Sequence, residues 1–303
     1  MSTGQKIIVT VSSFIITFIT ICTIFKSDIS FLLTSRKIER VYGKTPENSY
    51  FLEDNYNRLD LYDKAEVHSK EDIINSIYYL INSGAKYSQR YCAKDYYNCY
   101  NDMKEVSNDT EFLSIINNFV HPYNSFDSIL FNFDDKVIEI EIKHTYSKED
   151  IDTINKKVDE IMNKNINNNM STKEKIKSIH DYIINSTEYD TLKTKNIKDD
   201  TYKSNTAYGV LIQGHGICSG YSDAMKLFLD KLNIINYKIS NEEHIWNLVY
   251  LDGTWYHLDL TWDDPVNDKN ITRDNYFLIT TKTLVSLDDD VHNYNKIIFS
   301  EAK

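Results

Sequence analysis

An Asp252-Gly253 step between two apolar-aromatic runs, 244–251 and 254–261, constrains this chain more than any other feature. Asp-Gly is a strong signal for a tight hairpin, because the turn it favours needs positive φ at both central positions. Such a turn pairs Leu251 with Thr254 and fixes the register outward: Tyr250 with Trp255, Leu248 with His257, Trp246 with Asp259, His244 with Thr261. Side chains alternate across a strand, so both faces follow. Ile245, Asn247, Val249, Leu251, Thr254, Tyr256, Leu258 and Leu260 make a core face. His244, Trp246, Leu248, Tyr250, Trp255, His257, Asp259 and Thr261 make the other, which holds every histidine and carboxylate of the two strands. His244 and Asp259 become diagonal neighbours there, with Cα atoms roughly 7–8 Å apart, within reach of an imidazole–carboxylate hydrogen bond. A bulged three-residue turn would slip the register by one and bury His244 among the leucines.

Upstream lies Gly214-His-Gly-Ile-Cys-Ser-Gly-Tyr221, followed by helical spacing through Ala224, Leu227, Phe228 and Leu232. Cys218 is thereby expected at the mouth of a helix N-terminus, where unpaired amides and the dipole favour thiolate over thiol. Gly214, Gly216 and Gly220 would let the backbone bend tightly and let a substrate chain come close. Taken singly, a cysteine or a strand histidine is more often structural than chemical. Together, a thiolate, an imidazole and an orienting carboxylate are the parts of an acyl-transfer triad. Geometry alone leaves two candidate bases, because His257 also neighbours Asp259. Zinc is the competing chemistry, with His215-x-x-Cys218 and the hairpin histidines as ligands. The register sets His244 and His257 about 13 Å apart, too far to share one ion, so no metal or cofactor is expected.

Three stretches carry a resemblance: Tyr208-Gly-Val-Leu-Ile…Gly216-Ile-Cys-Ser-Gly-Tyr221, His244-Ile-Trp-Asn-Leu-Val, and Trp255-Tyr-His-Leu-Asp259-Leu-Thr-Trp-Asp-Asp-Pro265. In that order and spacing they resemble the bacterial branch of the transglutaminase-like superfamily, and Ile179-His-Asp-Tyr-Ile-Ile…Tyr189-Asp190 resembles its opening helix. The likeness runs from about residue 171 to 276. It implies a papain-like α+β core in which the helix bearing the cysteine packs on an antiparallel sheet bearing the histidine and aspartate. Cys218 would be nucleophile, His244 base and Asp259 orienter. The oxyanion would need the Cys218 amide and one side-chain donor, Gln213 or Trp246. The implied function is cysteine-dependent acyl transfer on peptide or glutamine carboxamides through a thioacyl intermediate, ending on water or on an amine. The competing class is a non-enzymatic cell-surface scaffold or cell-wall-binding module.

The remaining chain supplies the setting. Residues 7–25 carry no charge and are long enough to span a bilayer. No small-x-small cleavage site follows, so an uncleaved single-pass anchor over 1–26 is favoured above a signal peptide. Lys26, Arg36, Lys37 and Arg40 against Lys6 would keep the body inside, whereas the resemblance points outward, and the outward orientation is adopted. Residues 27–68 read as an irregular stalk. Residues 69–165 read as a small α/β module: a capped helix from Ser69, one over 109–119, a hairpin of 128–133 with 137–143, and a helix capped by Ser147 and Asp150. Cys92 and Cys99 would form a disulfide outside the cell and free thiols inside. An Asn-rich joint at 163–169 precedes the catalytic domain, 166–303, opened by a capping box at Ser171 and Glu174. The run 191–203, and the acidic tracts at Asp263-Asp264, Asp268 and Asp288–Asp290, are read as solvated loops, since the last two lack a calcium-loop pattern. A net charge of −11 without a basic block excludes nucleic acid as an expected partner. A protein or peptide substrate, a cell-wall peptide among the candidates, and the membrane through the N-terminal helix are the partners expected.

Overall fold

The computed structural model describes residues 49–52, 59–264, 274–287, 290–299 and 302. The expected membrane helix over residues 7–25 and most of the expected stalk lie outside them. Among the described residues no helix is long and apolar enough to cross a membrane.

The sheet that organises the site contains β7 (Asn236–Ser240), β8 (Ile245–Leu251) and β9 (Thr254–Leu258), all antiparallel in that order. Asp252 and Gly253 take φ of 51° and 83°, the positive pair a tight hairpin turn needs, and the register follows from Leu251–Thr254 to Asn247–Leu258. There it stops. Asp259 leaves the ladder to cap a short helix, α8 (Leu260–Asp263), and its amide donates instead to the Tyr276 carbonyl. The pairings expected for Trp246 with Asp259 and His244 with Thr261 are therefore not made.

Both faces of this sheet are buried, which corrects the expectation of a single core face. Val249 and Leu258 pack with Ala224, Met225 and Phe228 of α7 (Cys218–Lys231). Trp246 and Leu248, with Tyr237 and Ile239 of β7, pack on the opposite side with Phe119, Leu284, Tyr294 and Phe299. Phe119 ends α3 (Thr110–Phe119), so a helix from the N-terminal half covers the face that carries His257.

A second sheet has the order β1 (Glu66–Val67), β2 (Tyr87–Cys92), β4 (Val137–His144), β3 (Phe126–Phe133). Ile138, Ile140 and Ile142 of β4 point into the core while Glu139, Glu141 and Lys143 do not, the half-wet hairpin its alternation encodes. Against it pack α1 (Lys70–Asn82), capped by Ser69 accepting from the Asp72 amide, and α2 (Cys99–Asn108). Cys92 and Cys99 are disulfide-bonded, with Cα atoms 6.0 Å apart.

Residues 45–303 make one compact unit, and the joint at 163–169 lies within it. The helices on either side of the joint, α4 (Lys148–Asn165) and α5 (Thr172–Ser186), both begin with complete capping boxes. Both feed one core: Ile154, Val158 and Ile161 pack with Ile176, Ile179 and Ile183. The two expected halves, 69–165 and 166–303, share both of their cores.

Candidate active site

A two-strand parallel ladder, β5 (Glu188–Tyr189) with β6 (His215–Gly216), brings the chain to the helix that starts at Cys218. Gly220 makes this start possible by close approach rather than by bending. A Cβ there would sit 2.3 Å from the Ser204 carbonyl oxygen and 3.0 Å from that of Thr206. Gly214, with φ of 73°, is the one glycine of the three that supplies a left-handed turn.

Cys218 and His244 line one cleft of about 450 Å³. His244 directly precedes β8 and shares this cleft with Cys218, whose charge bears on its ring. Its Nε2–H donates to Asp259 Oδ2 at 2.5 Å, which leaves Nδ1 as the ring nitrogen available for proton transfer. Asp259 is 2% exposed, and its other oxygen accepts from the amides of Thr261 (2.8 Å) and Trp262 (3.4 Å). The cap of α8 thus fixes the carboxylate that holds His244.

A histidine that strand reasoning did not reach also meets this carboxylate. His292 Nε2–H donates to Asp259 Oδ2 at 2.8 Å. It lies 33 residues downstream with no motif around it, so only the fold reveals it.

Charges follow the geometry. Burial pulls the His244 imidazolium down, but the charge and hydrogen bond of Asp259, then Cys218, outweigh it and hold the ring protonated up to about 10. Burial alone would raise Asp259; the His244 charge and hydrogen bond, joined by those of His292, keep it well below the usual carboxylate range. His257 goes the other way. Burial and the nearby His292 push it down to about 3, so it is neutral. Its Nδ1 accepts from the Trp246 indole N–H at 3.0 Å, and its Nε2–H donates to Thr281 Oγ1 at 3.1 Å. Both ring nitrogens are used for structure, which settles geometrically why His257 does not face Cys218.

Neither expected oxyanion donor is free for that role. The Trp246 indole N–H is committed to His257, and Gln213 is exposed with its Oε1 accepting from the Lys203 amide, outside the residues that line the cleft. Tyr189 is a further titratable group that feels the site's charges. Burial, then the charges of Cys218, Asp259 and Asp190, push its phenol up to about 12, so it is neutral, and like Gln213 it is outside the residues that line the cleft. It pairs with Gly216 in the β5–β6 ladder.

The cleft floor is polar and buried. Lys238 Nζ meets Asp223 Oδ1 at 2.5 Å, Asp223 Oδ2 accepts from Tyr146 O–H at 2.7 Å, and Tyr146 in turn accepts from the Ala207 amide. Asp263 and Asp264, read from the sequence as solvated, are buried: Asp263 accepts from His180 Nε2–H at 3.2 Å, and Asp264 from the Tyr221 hydroxyl. Asp268, Asp288 and Asp289 lie outside the described residues. His215 stacks on Tyr202 at 3.7 Å. Of the set weighed for zinc, His215, Cys218, His244 and His257, only His244 belongs to the cluster gathered among the described residues. His244, Asp259 and His292 do place ligand atoms within 4.8 Å of one another. An ion with tetrahedral bonds of about 2.0–2.1 Å would hold its ligands about 3.3 Å apart. The 2.5 Å His244–Asp259 separation is the spacing of a hydrogen bond, and both imidazoles point an N–H at the carboxylate.

Residues 159–260 match the family described as the transglutaminase-like superfamily. This segment is similar to a transglutaminase-like domain. Its fold is the mixed α+β arrangement expected, with the Cys218 helix packed on the antiparallel sheet whose ends carry His244 and Asp259. The superfamily generally carries out cysteine-dependent acyl transfer. A solved structure described as "Crystal structure of a TGase" is 18% identical, over 47% of this chain and 46% of its own length, with a TM-score of 0.33. No curated protein matches.

Proposed function

We propose that the transglutaminase-like domain is a cysteine acyltransferase acting on carboxamides, with Cys218 as nucleophile, His244 as acid–base and Asp259 as orienter. The observation that carries this reading is Cys218 and His244 together on one cleft, with His244 hydrogen-bonded to buried Asp259. The Cys218 thiolate attacks the carboxamide carbon, forming the S–C bond. His244 Nδ1–H gives its proton to the departing nitrogen as the C–N bond breaks. Water or an amine then attacks the thioester, loses its proton to His244 and frees the thiolate. The Cys218 amide serves as an oxyanion donor.

The cleft adjoins a larger groove of about 810 Å³, the two sharing Ser114 and residues 240–243. Together they give an extended channel suited to a peptide. With the uncharged run 7–25 as anchor and the Cys92–Cys99 bond favouring an oxidising compartment, the reading extends to a membrane-anchored enzyme whose body faces outward onto protein or cell-wall peptide. Mass spectrometry of a glutamine peptide incubated with the protein and a primary amine tests the chemistry. Cys218-dependent loss of ammonia, with or without amine incorporation, is expected. Unchanged peptide, together with a Cys218 that alkylates like a free thiol, would instead indicate a scaffold.

A further inference from the structure

We propose that His292 is a positioning residue of the site, sharing one carboxylate oxygen of Asp259 with His244 and so setting how firmly that imidazole is held. The inference rests on the acyl-transfer reading of Cys218 and His244.

Three observations carry it. His292 and His244 donate to the same atom, Asp259 Oδ2, at 2.8 and 2.5 Å, with their rings almost perpendicular at 87° and centroids 5.2 Å apart. His292 is 3% exposed and its ring is held by a stack on Tyr276 (5.0 Å) and by edge contacts with Trp246 (4.9 Å) and Trp262 (5.2 Å). One side chain ties the two histidine segments together. Asn241 Nδ2–H₂ donates to the carbonyls on either side of His292, Val291 (2.6 Å) and Asn293 (2.7 Å), while Asn241 Oδ1 accepts the His244 amide at 2.8 Å. The C-terminal segment is thereby latched to the loop that presents His244. A packing role for His292 would need the ring contacts but neither the shared oxygen nor the latch.

The consequence is a competition. Two N–H donors on one oxygen each bind less tightly than one would alone. With His292 in place, Asp259 orients His244 yet leaves its proton transferable. Without it, the Asp259–His244 bond strengthens, and the imidazolium is harder to discharge onto a leaving group. The titratable groups around His292 are Asp259, His244, His257, which is neutral at working pH, and Tyr276, which stacks on it.

The test compares the full chain with His292→Phe, which keeps a stacking ring without the donor, and His292→Gln, which keeps a donor. Iodoacetamide alkylation of Cys218, followed by mass across pH 4–9, needs no known substrate. For His292→Phe the acidic limb of the alkylation profile is expected to move down by about one pH unit. Turnover of any carboxamide substrate should fall about tenfold in kcat at unchanged KM. His292→Gln should lie close to wild type in both. A His292→Phe protein with the wild-type limb and kcat overturns the proposal. So does a His292→Gln protein as impaired as His292→Phe, since the donor would then be irrelevant. Wild-type alkylation that ignores His244→Ala would overturn the acyl-transfer reading itself, an outcome separate from either.

Discussion

At the scale of single residues, two buried histidines at one sheet have opposite ionisation, and the charged partners that only one of them has decide it. His244 faces a buried carboxylate and the Cys218 side chain and stays protonated up to about 10; His257 faces an indole N–H and a hydroxyl and is pushed down to about 3. The linkage signs differ accordingly. The raised His244 contributes stability that is complete below about pH 6.5 and is lost as pH rises toward 10. The depressed His257 costs stability as pH falls below about 6.5, because the unfolded chain takes up that proton first, and the cost grows down to about 3. Urea unfolding from pH 4 to 10 should thus show a stability maximum near neutrality, with His257→Gln flattening the acid side. His257→Ala should lower stability by about 2–4 kcal/mol, since it opens a cavity and strands the Trp246 N–H. It should leave Cys218 alkylation near wild type, whereas His244→Ala should not. Reversal of that pattern would move the base to His257.

At the scale of elements, the sequence held the hairpin almost completely. Asp252-Gly253 states its turn chemistry locally, and the alternation of Leu248, His257 and their neighbours leaves one register. Capped helices were legible for the same reason, because Ser147 with Asp150 and Ser171 with Glu174 are local pairs. What could not be read was whatever depends on distant chain. The Asp259 strand ends because α8 needs a cap, Trp246 is spent on His257, and His292 arrives from a segment with no periodicity. Strand β2 and helix α2 were also hidden, since their tyrosines and cysteines carry no clear period. Two element-scale outcomes follow. Gly220→Ala should force the start of α7 away from Ser204 and Thr206, costing about 2 kcal/mol or more and most of the Cys218 reactivity, as thermal denaturation and alkylation would show. Replacing Cys92 and Cys99 by serine should cost about 2–3 kcal/mol, with hydrogen exchange rising in β2 and α2 but Cys218 reactivity retained.

At the scale of the whole molecule, the site is built by both halves of the chain. The sheet bearing His244 and Asp259 is covered on one face by the Cys218 helix and on the other by residues such as Phe119 and Phe299. A fragment of residues 166–303 would expose the Trp246 and Leu248 face along with the partners of Ile154 and Val158. It should fail to fold cooperatively by circular dichroism, while residues 45–303 should give one sharp transition. The same architecture focuses the chemistry on a single sulfur, the one free cysteine among the described residues. The central claim is that His244, oriented by Asp259, activates that sulfur, and the rate of Cys218 alkylation by iodoacetamide at pH 6 measures it most directly. Wild type is predicted to react at least about tenfold faster than His244→Ala, with Asp259→Asn between them. Equal rates in all three proteins, matching a cysteine in an unfolded peptide, would contradict it.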